Sequence, residues 1–256
     1  MRSRTASAKV GSPTPEELAA RMRVRLAAAL IAKGQPVEAQ SEVQALAAND
    51  KGPSWGEAKY LAGEALIAQK QWPAAIEMLK AFRDDARLHN LSGISDRAMM
   101  RLAFAYEQTN QWEPARQVYD ATFNRYVNSP WRVEARYGIG WCHQKQGQWD
   151  PAVNHYNEVV RSTTAEVAAR SQYQVGVCRQ AQQRWQEAAD AYQHCAYTYD
   201  YPELNAQSLV DAALSLAQLK KTPDAAKLLA QVGKEYASTK AAPIAAEQLL
   251  KLPPSP

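Results

Sequence analysis

Four stretches of this chain are versions of one another: "KQWPAAIEML" at 70–79, "NQWEPARQVY" at 110–119, "GQWDPAVNHY" at 147–156 and "QRWQEAADAY" at 183–192. Two more, "GQPVEAQSEV" at 34–43 and "KKTPDAAKLL" at 220–229, keep the alanine and lose the tryptophan. The shared alanines are Ala39, Ala75, Ala115, Ala152, Ala188 and Ala225, at steps of 36, 40, 37, 36 and 37 residues. Twelve residues before each stands a small residue: Ala27, Gly63, Ala103, Gly140, Gly176 and Ala213. Four residues after each stands a large one: Val43, Leu79, Tyr119, Tyr156, Tyr192 and Leu229. Three coupled positions held through six units restrict the chain to a repeat architecture, in which no unit buries its apolar face except against its neighbours.

Each unit reads as a helical hairpin. The first helix carries the small residue, a short turn follows, and the second helix starts near the tryptophan. Pro73, Pro114, Pro151 and Pro223 fall in the first turn of that second helix, where a missing N–H costs nothing. Alanine is abundant while Gly (11) and Phe (3) are scarce, which favours helix over sheet. The expected fold is an all-α, right-handed α-solenoid of about six hairpins spanning 14–251, with units near 14–52, 53–93, 94–130, 131–165, 166–203 and 204–247. The weaker first and last units serve as caps, and residues 1–13 and 252–256 are expected to be disordered.

These residues resemble the tetratricopeptide repeat, whose pattern places a small residue, an alanine and an aromatic at the spacing of Gly140, Ala152 and Tyr156, and again of Gly176, Ala188 and Tyr192. The steps are longer than the family's usual 34-residue repeat, and its first-helix tryptophan is missing. Segments 123–142 and 198–218 are similar to a narrower group, the outer-membrane-assembly lipoproteins and the Tol-Pal accessory protein of bacteria. The resemblance implies a scaffold that binds proteins, with the first helices lining a concave groove.

On those first helices Tyr60, Met100, Phe104, Tyr137, Trp141 and Tyr173 form an aromatic-rich stripe. Two roles are open to it, packing between repeats or contact with a ligand, and the family positions turn Trp141 and Phe104 toward the groove. A second ladder, Arg21, Glu57, Arg97, Glu134, Arg170 and Gln207, alternates in sign. It either reads a charged peptide or relays ion pairs between neighbouring first helices, each contributing under about 1 kcal/mol if exposed. The partner-binding candidates are therefore Tyr60, Met100, Phe104, Tyr137, Trp141, Tyr173, Arg97, Glu134 and Arg170. The clamp that some tetratricopeptide domains use on chaperone tails needs an asparagine just after the small residue, and none stands there.

Catalytic chemistry is not indicated. No phosphate-cradling glycine loop, HExxH or G-x-S-x-G is present. Cys142, Cys178 and Cys195 form no CxxC and read as buried thiols rather than a zinc site or a disulfide framework. His143 and His194 adjoin cysteines, but successive helical residues point about 100° apart and do not chelate one ion. His155 is expected on a solvated flank. No metal and no cofactor are expected, and the chain reads as non-enzymatic. A formal charge of +4 spread along the sequence does not imply nucleic acid. No apolar run is long enough to enter a membrane. The opening "MRSRTASAKVGSPTP" is not a signal peptide, which places the protein in the cytoplasm unless a leader or lipid anchor precedes it, in which case it belongs to the cell envelope. The function implied is capture of a peptide or partner protein in the groove. The alternatives are an oligomerising subunit of a bacterial envelope or multiprotein assembly, which an exposed apolar patch at 244–252 would support, and a regulatory repeat fragment of a larger enzyme.

Overall fold

A computed structural model of the chain describes residues 12–253. Among them all regular structure is helical. Expectations about the outermost ends fall largely on 1–11 and 254–256, outside the described residues. The chain divides into two compact units between Thr109 and Asn110. The first holds α1 (Pro15–Ala32), α2 (Pro36–Ala48), α3 (Trp55–Ala68), α4 (Trp72–Leu79), the short α5 (Ala81–Asp84), a 3-10 turn at Ala86–Leu88 and α6 (Ser95–Gln108). The second holds α7 (Trp112–Arg125), α8 (Arg132–Lys145), α9 (Trp149–Ser162), α10 (Glu166–Ala181), α11 (Trp185–Thr198), α12 (Pro202–Gln218), α13 (Thr222–Glu235) and α14 (Ala241–Lys251).

Within each unit the helices pack in antiparallel succession, every second helix also lying on the first helix of the next hairpin. This is an all-α, solenoid-type array. All six register alanines are fully buried. The four tryptophans of the repeat each open a second helix. The turn before it is the same throughout: Gly34, Lys70, Asn110, Gly147, Gln183 and Lys220, five residues before the register alanines, all have φ between 56° and 76°. That left-handed residue closes the first helix. The N–H that follows reaches back five residues, from Gln148 to the His143 carbonyl at 2.9 Å and likewise from Gln35, Gln71, Arg184 and Lys221. Glycine adopts this conformation without strain, and Lys70, Gln183 and Lys220 hold it at a cost of about 1 kcal/mol each.

The small residue explains why the hairpins are tight. A Cβ on Gly176 would sit 2.5 Å from the Tyr192 ring, and one on Gly63 2.4 Å from Leu79. The large register residue thus seals its own hairpin by lying over the glycine, in addition to packing between hairpins as Tyr119 does against Gly138. A tyrosine at this position gains a further tie. Tyr156 donates its hydroxyl to Gln144 Oε1 and Tyr192 donates to Gln180 Oε1, both at 2.7 Å, so successive repeats make the same hydroxyl–amide bond. Satisfying the phenol in this way removes the penalty of burying it.

Candidate functional site

In the second unit the first helices α8, α10 and α12 lie side by side. Their register places Tyr137 and Tyr173 at the same level on neighbouring hairpins. Each ring packs against the register tyrosine of its own hairpin, Tyr137 on Tyr156 at 5.5 Å and Tyr173 on Tyr192 at 5.3 Å between centroids. Tyr173 donates to Asp211 Oδ2 at 2.8 Å, and Gln207 Nε2 donates to the same oxygen at 3.0 Å. Burial pushes the Asp211 carboxyl above its ordinary range, against the pull of those two donors. Burial, helped by the Asp211 charge, likewise raises the Tyr173 phenol.

One turn earlier on α10, Arg170 donates from one nitrogen to both oxygens of Glu134 on α8 at 2.8 Å, and its guanidinium lies 4.8 Å from the Tyr137 centroid. Both side chains of the pair remain about one-third exposed, so the ion pair contributes no more than about 1 kcal/mol. Arg170 Nε is buried and donates to nothing among the described residues. Beside it lies a cleft of about 610 Å³, lined by Glu166, Arg170, Tyr173, Tyr201, Pro202, Glu203, Leu204 and Gln207. A second cleft of about 510 Å³, with Val177, Trp185 and Asp211, opens on the other side of Tyr173. Trp141 is half-buried on α8 with Lys145 Nζ 4.3 Å from its ring centre. The face therefore offers flat aromatic surface and a partly exposed guanidinium, with the unpaired Arg170 Nε and the Asp211 carboxylate buried behind them.

The other sequence candidates lie in the first unit. Tyr60 is only 8% exposed and belongs to the core, with the Arg97 charge near its hydroxyl. Met100 is half-buried, and Phe104 meets Trp72 edge to face at 5.8 Å. Arg97 is exposed. Glu64 pairs with Arg101 at 2.8 Å, and burial raises its carboxyl despite that partner. Asp211 and the Glu64–Arg101 pair escaped sequence reasoning. Their only signal was a charged residue next to a small register position, and whether such a residue faces water or a neighbour is decided across the array.

One tetratricopeptide repeat model matches residues 24–87 and 137–201, half of the chain, and a second matches 95–165. The chain belongs to the tetratricopeptide repeat family. No curated protein sequence matches it. Among solved structures, the tetratricopeptide fold is similar to the nearly identical TPR-like repeats assigned to a kinesin light chain of Podosopora anserina, at 20% identity and TM-score 0.59, over 72% of this chain and 97% of that one. It is similar to the apo quorum sensor NprR of B. thuringiensis at 15% identity and TM-score 0.66, over 94% of this chain and 71% of that one. It is similar to PilF of Pseudomonas aeruginosa at 15% identity and TM-score 0.62, over 92% of this chain and all of that one. At these identities the likeness establishes the fold.

The remaining reactive side chains of this tetratricopeptide array serve packing. Cys142, Cys178 and Cys195 are buried thiols, and burial pushes Cys178 up to about 12, away from nucleophilic chemistry. Among the described residues no three His, Cys, Asp or Glu side chains gather as metal ligands, and no helix is long and apolar enough to cross a membrane. His155 departs from expectation. It is half-buried rather than solvated, and its ring stacks on His143 at 5.4 Å because residues 143 and 155 face each other across the hairpin. Burial, the His143 ring and Arg136 lower His155 from 6.5 to about 4, with Asp120 opposing. A lowered imidazole pKa means the unfolded chain binds the proton more readily, so its stabilising contribution is complete above about pH 6.5 and is lost as pH falls toward 4. Replacing His155 by glutamine is expected to remove about 1 kcal/mol of stability loss over that window, allowing for its partial exposure. Urea titrations of both proteins at pH 7 and 4.5 measure the difference, which excludes the opposing contributions of Glu64 and Asp211 common to both. Parallel pH profiles would refute it.

Proposed function

We propose that this protein is a non-catalytic interaction scaffold whose second unit takes an extended peptide or partner segment along the face of α8, α10 and α12. The observation that carries the reading is the cleft at Tyr173, where a buried arginine Nε without a partner stands beside aromatic surface and the Tyr173–Asp211 pair. An extended peptide supplies carbonyl acceptors for Arg170 and apolar side chains for Tyr173 and Trp141, and aromatic anchors of this kind dominate binding energy. The fold neighbour NprR has also been crystallised in complex with its cognate peptide NprX, at TM-score 0.53 and 15% identity. The "YP"-turn style of 198–218 extends the proposal to the bacterial-envelope branch of the family. On the first unit, Phe104, Met100 and Arg97 are proposed as secondary contacts and Tyr60 as their support.

Panning a displayed peptide library against the folded protein tests this. Selected peptides are expected to lose affinity by about tenfold or more with Trp141→Ala and with Arg170→Ala, since anchors of this type contribute about 1.4 kcal/mol or more. Peptides whose affinity survives both changes in a protein that still melts as wild type would refute the groove. A second reading, the oligomerising subunit, is favoured by α14, where Ile244 and Leu249 are exposed and Leu250 is 88% exposed. A concentration-independent monomer in light scattering removes it.

A further inference from the structure

The first helix carries a surface that the repeat logic leaves unexplained. Five residues before the small register position stand Ala58, Ala98, Ala135, Ser171 and Ser208, all fully buried, whereas the equivalent Met22 is 71% exposed. One residue before it stand Ala62, Leu102, Ile139, Val175 and Ala212, all buried, whereas Leu26 is 47% exposed. In those five hairpins the second helix of the preceding hairpin covers these positions, as α2 does when Val43 and Ala47 cluster with Ala58 and Ala62. On α1 the same face is open. It holds Leu18, Met22 and Leu26 at successive turns, opposite the buried Ala20, Val24 and Ala27.

A capping helix in such an array presents a polar outer face. This one presents a line of three large apolar side chains bordered by arginines. On a helix Arg21 and Arg23 fall about 100° to either side of Met22, and Arg25 lies between Arg21 and the apolar line. All three are exposed, and none makes an ion pair among the described residues. Acidic charge near this face is scant at its centre, since Glu16 and Glu17 stand in the first turn and Glu17 is engaged in capping Thr14.

We infer that the Leu18–Met22–Leu26 face of α1 docks an amphipathic helix with acidic flanks from a partner protein. The shape is that of a helix-covered repeat face, and the charge selects a partner of opposite sign. Residues 1–11 carry Arg2, Arg4 and Lys9 without an acidic side chain, so they do not supply the complement. Helix α14 of a second copy does not either, because its one acidic residue, Glu247, is matched by Lys251 and the helix carries no net negative charge.

The probe is a synthetic helical peptide with a leucine face flanked by glutamates, compared by fluorescence anisotropy with a twin carrying lysines in their place. The acidic peptide is expected to bind about tenfold tighter than its twin or more. Met22→Asp is expected to weaken it by a similar factor, and the double change Arg21→Glu with Arg25→Glu to reverse the preference. These positions are exposed, so thermal melts should match wild type. Trp141→Ala should leave this binding unchanged, which separates the face from the groove. Equal binding of both peptides, or binding indifferent to Met22→Asp, would overturn the inference. So would a concentration-dependent dimer that Met22→Asp abolishes, which assigns the face to a second copy. Sedimentation with phosphatidylserine vesicles that requires Met22, in the absence of acidic-peptide binding, would likewise overturn it by assigning the face to a membrane surface.

Discussion

Tyr156→Ala is expected to cost about 3–5 kcal/mol of stability, the range for removing a large aromatic side chain from a packed core. Tyr156 has no exposure, its ring covers Gly140 and meets Tyr137, and its hydroxyl bonds Gln144. Truncation leaves a cavity beneath three helices and deprives Gln144 Oε1 of its hydroxyl donor. Tyr156→Phe separates the two effects. It keeps the ring and removes the hydrogen bond, so a loss of only about 1 kcal/mol is expected. Urea unfolding of the two variants measures both. A Tyr156→Ala protein within 1 kcal/mol of wild type would mean that the register tyrosine fills space without locking the hairpin.

Gly176→Val is expected to cost about 2–3 kcal/mol, the penalty for overfilling a close-packed core. The first added carbon would lie 2.5 Å from two atoms of the Tyr192 ring. That ring has little room to retreat, because Tyr192 is 1% exposed and its hydroxyl is held by Gln180. The better helix propensity of valine over glycine offsets only a few tenths of a kcal/mol. The pair Gly176→Val with Tyr192→Ala should cost less than the sum of its parts by about 1 kcal/mol or more, since the truncated side chain makes room for the inserted one. Strict additivity in denaturant unfolding would show that the two residues do not meet as described.

The hairpins were legible because three constraints act together at fixed spacing: a small residue where helices cross, an alanine beside it and a large residue to cover it. Each of these is enforced by contacts within one hairpin or with the next, so it leaves a mark every 36 to 40 residues. The left-handed turn residue was less legible. Only Gly34, Asn110 and Gly147 advertise it, and the same conformation is imposed on Lys70, Gln183 and Lys220 by the helices that flank them. The cleft was legible in part. Tyr173 and Arg170 announce themselves as members of ladders, whereas Asp211 has no counterpart at its position in the other repeats.

His155 and Met22 mark the limits of pattern reading from opposite directions. His155 sits beside a packing tyrosine and looks solvated along the sequence, yet the hairpin turn folds it onto His143. Met22 occupies a position that five other repeats bury, yet no described helix covers it. Periodic spacing is written by local, repeated contacts, so the order of residues was enough for the repeat, the hairpins and the all-α class. Exposure and pairing depend on side chains 30 or more residues apart, such as Arg170 with Glu134 and Tyr173 with Asp211. Those depend on how successive hairpins stack, and burial then sets which polar groups are satisfied, which are shifted in pKa and which remain open to a partner.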